Sequence, residues 1–363
     1  MPYGTVNADL ITGSTGGTMS PASTFGFKSR IINGAMVIDQ RNAGASVTPT
    51  LDGQYGSCDR WSYWLSQSSK FSVQQVATTP TSGGFTNSLL ATSLSAYAVG
   101  TNDYFSINQK IEGYNVSDLG WGTANAKTVT LSFWVASSIS GTFGGAITNS
   151  ANTRSYPFTY TISTPSTFQL ISVTIAGDTS GTWLTTNGTG LIVQFSLGAG
   201  TGKSGTAGTW AGSWLVSATG ATSVVGTSGA TFYITGVQLE VGTNATSFDY
   251  RPYGTELALC QRYFEITNTA QISGSPAASS VVFFNASFVV TKRTSPSNYG
   301  NGGTISFYQA SNNTQYAGGS VGAINNVSVG GVEFQVAGFT GLTTGSYGIF
   351  RPSTSQLSWS AEL

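Results

Sequence analysis

The sequence contains no histidine, and only 8% of its 363 residues are charged, against about 25% in an average soluble domain. Without imidazole there is no Ser-His-Asp or Cys-His catalysis, most zinc sites are lost, and the usual acid–base group for neutral pH is missing. The 14 Lys and Arg balance the 14 Asp and Glu, so no net charge pulls on a polyanion and nucleic acid is not an expected partner. No run of about 18 apolar residues occurs, so no membrane insertion is expected. The opening MPYGTVNADLITGSTGG lacks a basic stretch followed by an apolar one, so it does not read as an export signal. Cysteine is nearly absent. One disulfide between Cys58 and Cys260 is open to the chain, but two separate buried thiols are the expected state. No Walker-type loop follows a strand, and the many Gly pairs read as turns.

Polarity comes instead from Ser, Thr, Asn and 47 Gly, while 8 Trp, 16 Tyr and 20 Phe exclude a disordered chain. The length suggests about two or three domains. Residues 1–30 are Gly/Ser/Thr-rich. Apolar alternation begins in Arg30–Arg41 (RIINGAMVIDQR), and strand signals bounded by Gly, Asn, Pro or Ser then recur. They fall at Arg60–Leu65, Phe71–Ala77, Tyr104–Ile111, Thr128–Ser137, Tyr156–Ile162, Phe168–Ile175, Leu191–Leu197 and Thr231–Val241. In TVTLSFWVAS, Val129, Leu131, Phe133 and Val135 share one face, and Thr128, Thr130, Ser132 and Trp134 the other. One buried and one polar face mark an antiparallel sheet. No helical pattern of 10–15 residues separates these strands, so a parallel α/β sheet is ruled out. The expected fold is all-β: an antiparallel jelly-roll sandwich followed by a smaller C-terminal β-sandwich, with a short linking helix.

The helix is expected at Thr255–Phe264, with Thr255 as N-cap and Leu257, Cys260 and Phe264 at helical spacing. Strands resume at Val281–Val290, Thr304–Gln309, Val327–Val336 and Gly348–Phe350. The expected organisation is an N-terminal segment 1–30, a jelly roll 31–253 and a C-terminal β-sandwich 254–363. Gly198–Gly212 reads as a long surface loop.

Paired carboxylates could run glycoside hydrolysis. Asp103, Glu112, Asp118, Asp178, Glu240 and Asp249 are the candidates, but turn caps and ion pairs are their expected uses. Glu240 and Asp249 flank a strand end beside Arg251; a structural ion pair is expected there, with a Ca2+ site as the alternative. Otherwise no cofactor and no enzymatic activity are expected. Sugar binding calls for aromatic faces beside Asn and Asp in loops. Trp121, Trp210 and Trp214 lie in Gly-rich stretches, and Tyr299, Tyr308 and Tyr316 lie among Asn and Gly. The competing use of each ring is packing at an interface or over the sandwich. Trp61, Trp64, Phe133 and Trp134, being in strands, are assigned to core or interface.

RIINGAMVIDQRNAG (Arg30–Gly44), CDRWSYW (Cys58–Trp64) and VQLEVGTNATSFDYRPYGTELALCQRYFE (Val237–Glu265) resemble a family of phage tail-fibre and related virion proteins, many from phages of cyanobacteria. MPYGTVNADLI resembles the segments by which such fibres attach to a virion, with Tyr3, Val6, Leu10 and Ile11 as contact residues. The resemblance brackets roughly residues 1–265 and is loose beyond. It implies a jelly roll similar to carbohydrate-binding modules, a homotrimer in the virion, tail or baseplate proteins as partners through the N-terminus, and a host-surface glycan as ligand. The motifs are structural, so no catalytic position is carried over. A capsid decoration or head-fibre protein, a tail adaptor, and a polysaccharide depolymerase are the alternatives. The last lacks the β-helix repeats of such tailspikes.

Overall fold

The computed structural model describes residues 11–12, 18–19, 28–267, 272–300, 305–352 and 357–363, with the backbone alone for 11–12, 18–19, 299–300, 323 and 351–352. The chain divides into two compact units, Met1–Pro252 and Tyr253–Leu363. Both are all-β apart from short helical turns and one helix.

The first unit is an antiparallel jelly-roll sandwich. One sheet has six strands in the order Ser155–Ile162, Gly141–Thr148, Thr189–Ala199, Tyr104–Glu112, Ser62–Leu65 and Gln54–Tyr55. The other has five, in the order Gln169–Ile175, Val129–Ser137, Thr231–Val241, Ser88–Ser93 and Phe71–Val76. The alternation read from TVTLSFWVAS is the one observed: Val129, Leu131, Phe133 and Val135 are fully buried between the sheets. Phe133 meets the rings of Tyr160 and Phe195 edge-on at 5.0 and 4.9 Å. Such pairs add about 0.5–1.5 kcal/mol each beyond the area they bury. The outer face of the six-stranded sheet is closed over: Ser106, Asn108, Gln194 and Ser196 are buried on it, and Ser217–Ala218 lies across its strands. The approach is close at Gly144, where a Cβ would stand 2.3 Å from Ser217 Oγ.

Two sequence expectations change here. Arg30–Arg41 forms no strand; it is an irregular segment with Asn33 and Met36 at positive φ. Asn33 organises it, accepting from Ile38 N and donating to the carbonyls of Ile38 and Asp59, so Met36 and Ile38 are buried by turns. Gly198–Gly212 is not all loop either, because the strand runs to Ala199 and a second short strand follows at Ser204–Gly205.

In the second unit, Ser273–Ala278, Val281–Ser287, Gly331–Ala337, Thr314–Val327, Ile305–Gln309 and Gly348–Pro352 close into a barrel. Phe284, Phe307, Phe334 and Phe350 fill it. The span Val327–Val336 expected as one strand is a hairpin instead, turning at Ser328–Gly331. Beside the barrel, Phe264–Ile266, Ser358–Ser360 and Ser297–Gly300 form a small sheet. The helix is Tyr253–Gln261, so Thr255 lies inside its first turn and is not its cap. Buried Lys292 bonds both the Gln261 carbonyl and the Glu265 carboxylate, which anchors the helix end to this unit.

Candidate functional site

The site begins with two polar side chains on the outer face of Thr231–Val241. Gln238 and Glu240 are buried there, although sequence alternation directs them away from the core. They are buried because the chain folds back over them. Glu240 accepts from Gln238 Nε2 at 2.8 Å, from Thr246 N at 2.8 Å and from Thr246 Oγ1 at 2.6 Å. Gln238 Oε1 accepts from Asp249 N at 2.8 Å. Lys28 reaches in behind to Thr246 Oγ1 and the Ser247 carbonyl, both at 2.5 Å. Asp249 accepts from Ser29 N at 3.2 Å, and Arg251 donates to the carbonyls of Ser29 and Ile31 at 2.6 and 3.1 Å. This network fixes the loop that carries Phe248 and Tyr250.

Those two rings and Phe85 form a triad with centroid distances of 4.8–5.5 Å. They wall a cavity of about 300 Å3 whose other lining residues are Gly83, Ser132, Trp134, Leu170, Gly236, Thr246 and Ser247. Its floor is the outer face of the five-stranded sheet, where Trp134 pairs with Leu170 on one side and Thr235 on the other. A register irregularity after Thr235 puts Gly236 at the floor with φ +60°. A Cβ at Gly236 would lie 2.5 Å from Phe85 Cζ and 3.0 Å from Trp134 Cδ1, so only glycine leaves both rings in place. Gly83, at φ +93°, is confined the same way by Phe85 at 2.7 Å.

The pocket combines aromatic faces with unused hydrogen-bonding groups. Among the described residues, nothing bonds the Trp134 indole N–H, the hydroxyls of Ser132 and Ser247, or the Tyr250 phenol. Partial burial raises the Tyr250 pKa above the ordinary phenol value. Tyr250 and Leu170 are 54% and 58% exposed, leaving the mouth open. Apolar walls with a few convergent polar groups are the composition of a small-ligand site.

The tryptophans singled out from sequence for sugar binding lie elsewhere. Trp121 and Trp210 come together, with Trp183 as third member, at centroid distances of 4.8–5.5 Å and nearly perpendicular planes. Trp121 is buried, and its N–H donates to the Lys127 carbonyl at 2.7 Å. Trp210 donates to the Ala176 carbonyl at 2.9 Å and faces Arg154, which pairs with Asp178 through two bonds of 2.6 and 2.7 Å. A second cavity, of about 170 Å3, adjoins Trp121 and Trp183 and is also lined by Val116, Leu119, Leu184 and Leu191. Trp214 joins a different group, packing on Trp64 and Tyr104 under Lys203 Nζ at 4.0 Å.

In the second unit, Tyr308 bonds Asn313, and Tyr316 accepts from Asn312 Nδ2 at 2.8 Å, both within one hairpin. The side chain of Tyr299 lies outside the described residues, as do Tyr3, Val6 and Leu10. Ile11 lies in a two-residue strand that pairs with Thr18–Met19. Glu240 spends both oxygens on the loop network, Asp249 makes the ion pair expected with Arg251 at 3.7 Å, and among the described residues no group of three or more Cys, Asp or Glu gathers to hold a metal. The remaining acids are held separately: Asp103 by Ser66, Tyr97 and Gly100, Asp118 by Arg30, and Asp178 by Arg154, while Glu112 is buried on its strand.

No family model and no curated protein sequence matches the chain. Among solved structures, the enzymatically active domain of bacteriophage CBA120 tailspike protein 4 is similar at 11% identity and TM-score 0.33, over 59% of this chain and 21% of that one. A CBM4 structure is similar at 14% identity and TM-score 0.31, over 58% of this chain and 98% of that one. The family 11 carbohydrate-binding module of cellulosomal cellulase Lic26A-Cel5E of Clostridium thermocellum follows at 13% identity and TM-score 0.27, over 55% of this chain and 98% of that one. The chain thus spans about a fifth of the tailspike domain's length, 21%.

Proposed function

We propose that this chain is a phage virion protein, a homotrimeric tail fibre that binds a glycan on the host surface and does no chemistry on it. The observation that carries the glycan reading is the pocket of Phe85, Trp134, Phe248 and Tyr250, with hydroxyl and indole donors that no described residue bonds around an open mouth. Aromatic faces accept the C–H face of a sugar ring, and the polar groups fix its hydroxyls. Nothing in the pocket supplies a paired acid and base. Three such weak sites on one rigid trimer gain avidity through effective concentration. The virion, the trimer and attachment to tail or baseplate proteins through residues 1–30 rest on the sequence resemblance.

Adsorption competition is the test. Purified chain added to host cells before phage should block infection, and Tyr250→Ala, a change at a half-exposed ring, should weaken the block. Full inhibition by the variant, or none by the parent chain, contradicts the proposal. Label on the head in tagged virions would favour the decoration role. Shortening of host capsular polysaccharide by the purified chain would favour a depolymerase.

A further inference from the structure

Resting on the glycan reading, we propose that this pocket selects an uncharged sugar bearing a methyl group, either a 6-deoxyhexose or an N-acetylhexosamine, and rejects acidic sugars. The pocket is lined by ten residues, and none is Asp, Glu, Lys or Arg. The charged side chains of the network that anchors the loop are engaged. Lys28 is held by Thr246 and Ser247, Glu240 by Gln238 and Thr246, Asp249 by Ser29, and Arg251 by backbone carbonyls. They also balance, two positive and two negative. A carboxylate entering the pocket would leave water without gaining a cation, and an unpaired buried charge is strongly disfavoured.

The second half of the selection comes from Leu170. It projects from the outer face of the five-stranded sheet beside Trp134, 58% exposed and outside the buried core. Together with Phe248 and Phe85 it gives the pocket an apolar wall beyond what one sugar face needs. A methyl of a 6-deoxy or N-acetyl group is the sugar substituent that uses such a wall. The donors that no described residue bonds, Trp134 Nε1, Ser132 Oγ, Ser247 Oγ and the Tyr250 phenol, suit neutral hydroxyl or amide oxygens.

The test titrates the full chain, read by tryptophan fluorescence, with fucose, rhamnose, N-acetylglucosamine, glucose, glucuronate and N-acetylneuraminate at low and high salt. The methyl-bearing neutral sugars should bind at least about fourfold more tightly than glucose, the value of one buried methyl. Their affinity should not change with salt, and glucuronate and N-acetylneuraminate should be the weakest. Leu170→Asn, at an exposed position, should bring the methyl-bearing sugars to the level of glucose without changing the melting temperature. Equal or tighter binding of the acidic sugars, weakening with salt, would overturn this inference and leave glycan binding standing. No binding of any sugar, alone or within host polysaccharide, would overturn both.

Discussion

Replacing Glu240 with Ala should loosen the pocket without unfolding the sandwich. The Glu240 carboxylate is 2% exposed and accepts three hydrogen bonds, from Gln238 Nε2, Thr246 N and Thr246 Oγ1. A hydrogen bond to a charged group contributes about 1.5–3 kcal/mol. Both Thr246 donors are half-buried and water can replace part of what they lose, whereas buried Gln238 falls back on long contacts to Thr246 and Ser247 carbonyls at 3.4 Å. The net loss is about 3 kcal/mol of loop anchoring, roughly a hundredfold in the ratio of closed to open loop. Hydrogen exchange followed by mass spectrometry reads this directly. Protection over residues 242–250 should fall about a hundredfold, while that of the core strand Val129–Ser137 should not change. Glycan affinity should fall with the closed fraction. Glu240→Gln, which keeps one acceptor, should lie between. Unchanged exchange over the loop in Glu240→Ala would refute the claim that this carboxylate builds the pocket.

Gly236→Ala should cost about 2–4 kcal/mol in urea unfolding of the first unit, combining a left-handed alanine with overpacking against Phe85. A loss below about 0.5 kcal/mol, within the scatter of ordinary surface changes, would mean that the rings can move aside. Burial pushes the Asp59 carboxyl up to about 6 despite Arg41 and Gln40. The folded state therefore holds this proton more tightly than the unfolded one, and the stability it contributes is full below about pH 4 and lost as pH rises to about 6. That loss is up to about 3 kcal/mol, and Asp59→Asn should flatten this part of the stability–pH curve. Cys58 and Cys260 form no disulfide and are fully buried, so both thiols should react with a thiol reagent only after denaturant is added, and one fast-reacting thiol in the native chain would contradict this burial.

Much of the fold could be read from the sequence because strands announce themselves by alternation. Val129–Ser137 and Thr231–Val241 appeared with nearly their observed bounds. Ser88–Ser93 and Gly141–Thr148 went unread, since SLLATS and GTFGGAIT carry too few large side chains to show a period. Arg30–Arg41 shows the converse: Met36 and Ile38 alternate like a strand, but the Asn33 side chain takes over the backbone bonds. The site was harder. Trp121 and Trp210 stand in Gly-rich stretches that suggest exposed rings, yet they find partners distant in sequence, Trp183 and Arg154. Trp134, in a strand, reads as core or interface, although its place on the Thr/Ser face of TVTLSFWVAS points outward. Nothing local shows that Gln238 and Glu240 would bind a loop and so bring Phe248, Tyr250 and Phe85 together.

The most direct measurement is a glycan array probed with the full chain and with Trp134→Ala and Tyr250→Ala, each checked for an unchanged melting temperature. The pocket account predicts a defined set of neutral glycans bound by the parent chain and lost by at least tenfold in both variants. Equal binding by the parent and both variants would place recognition elsewhere on the chain and contradict the account.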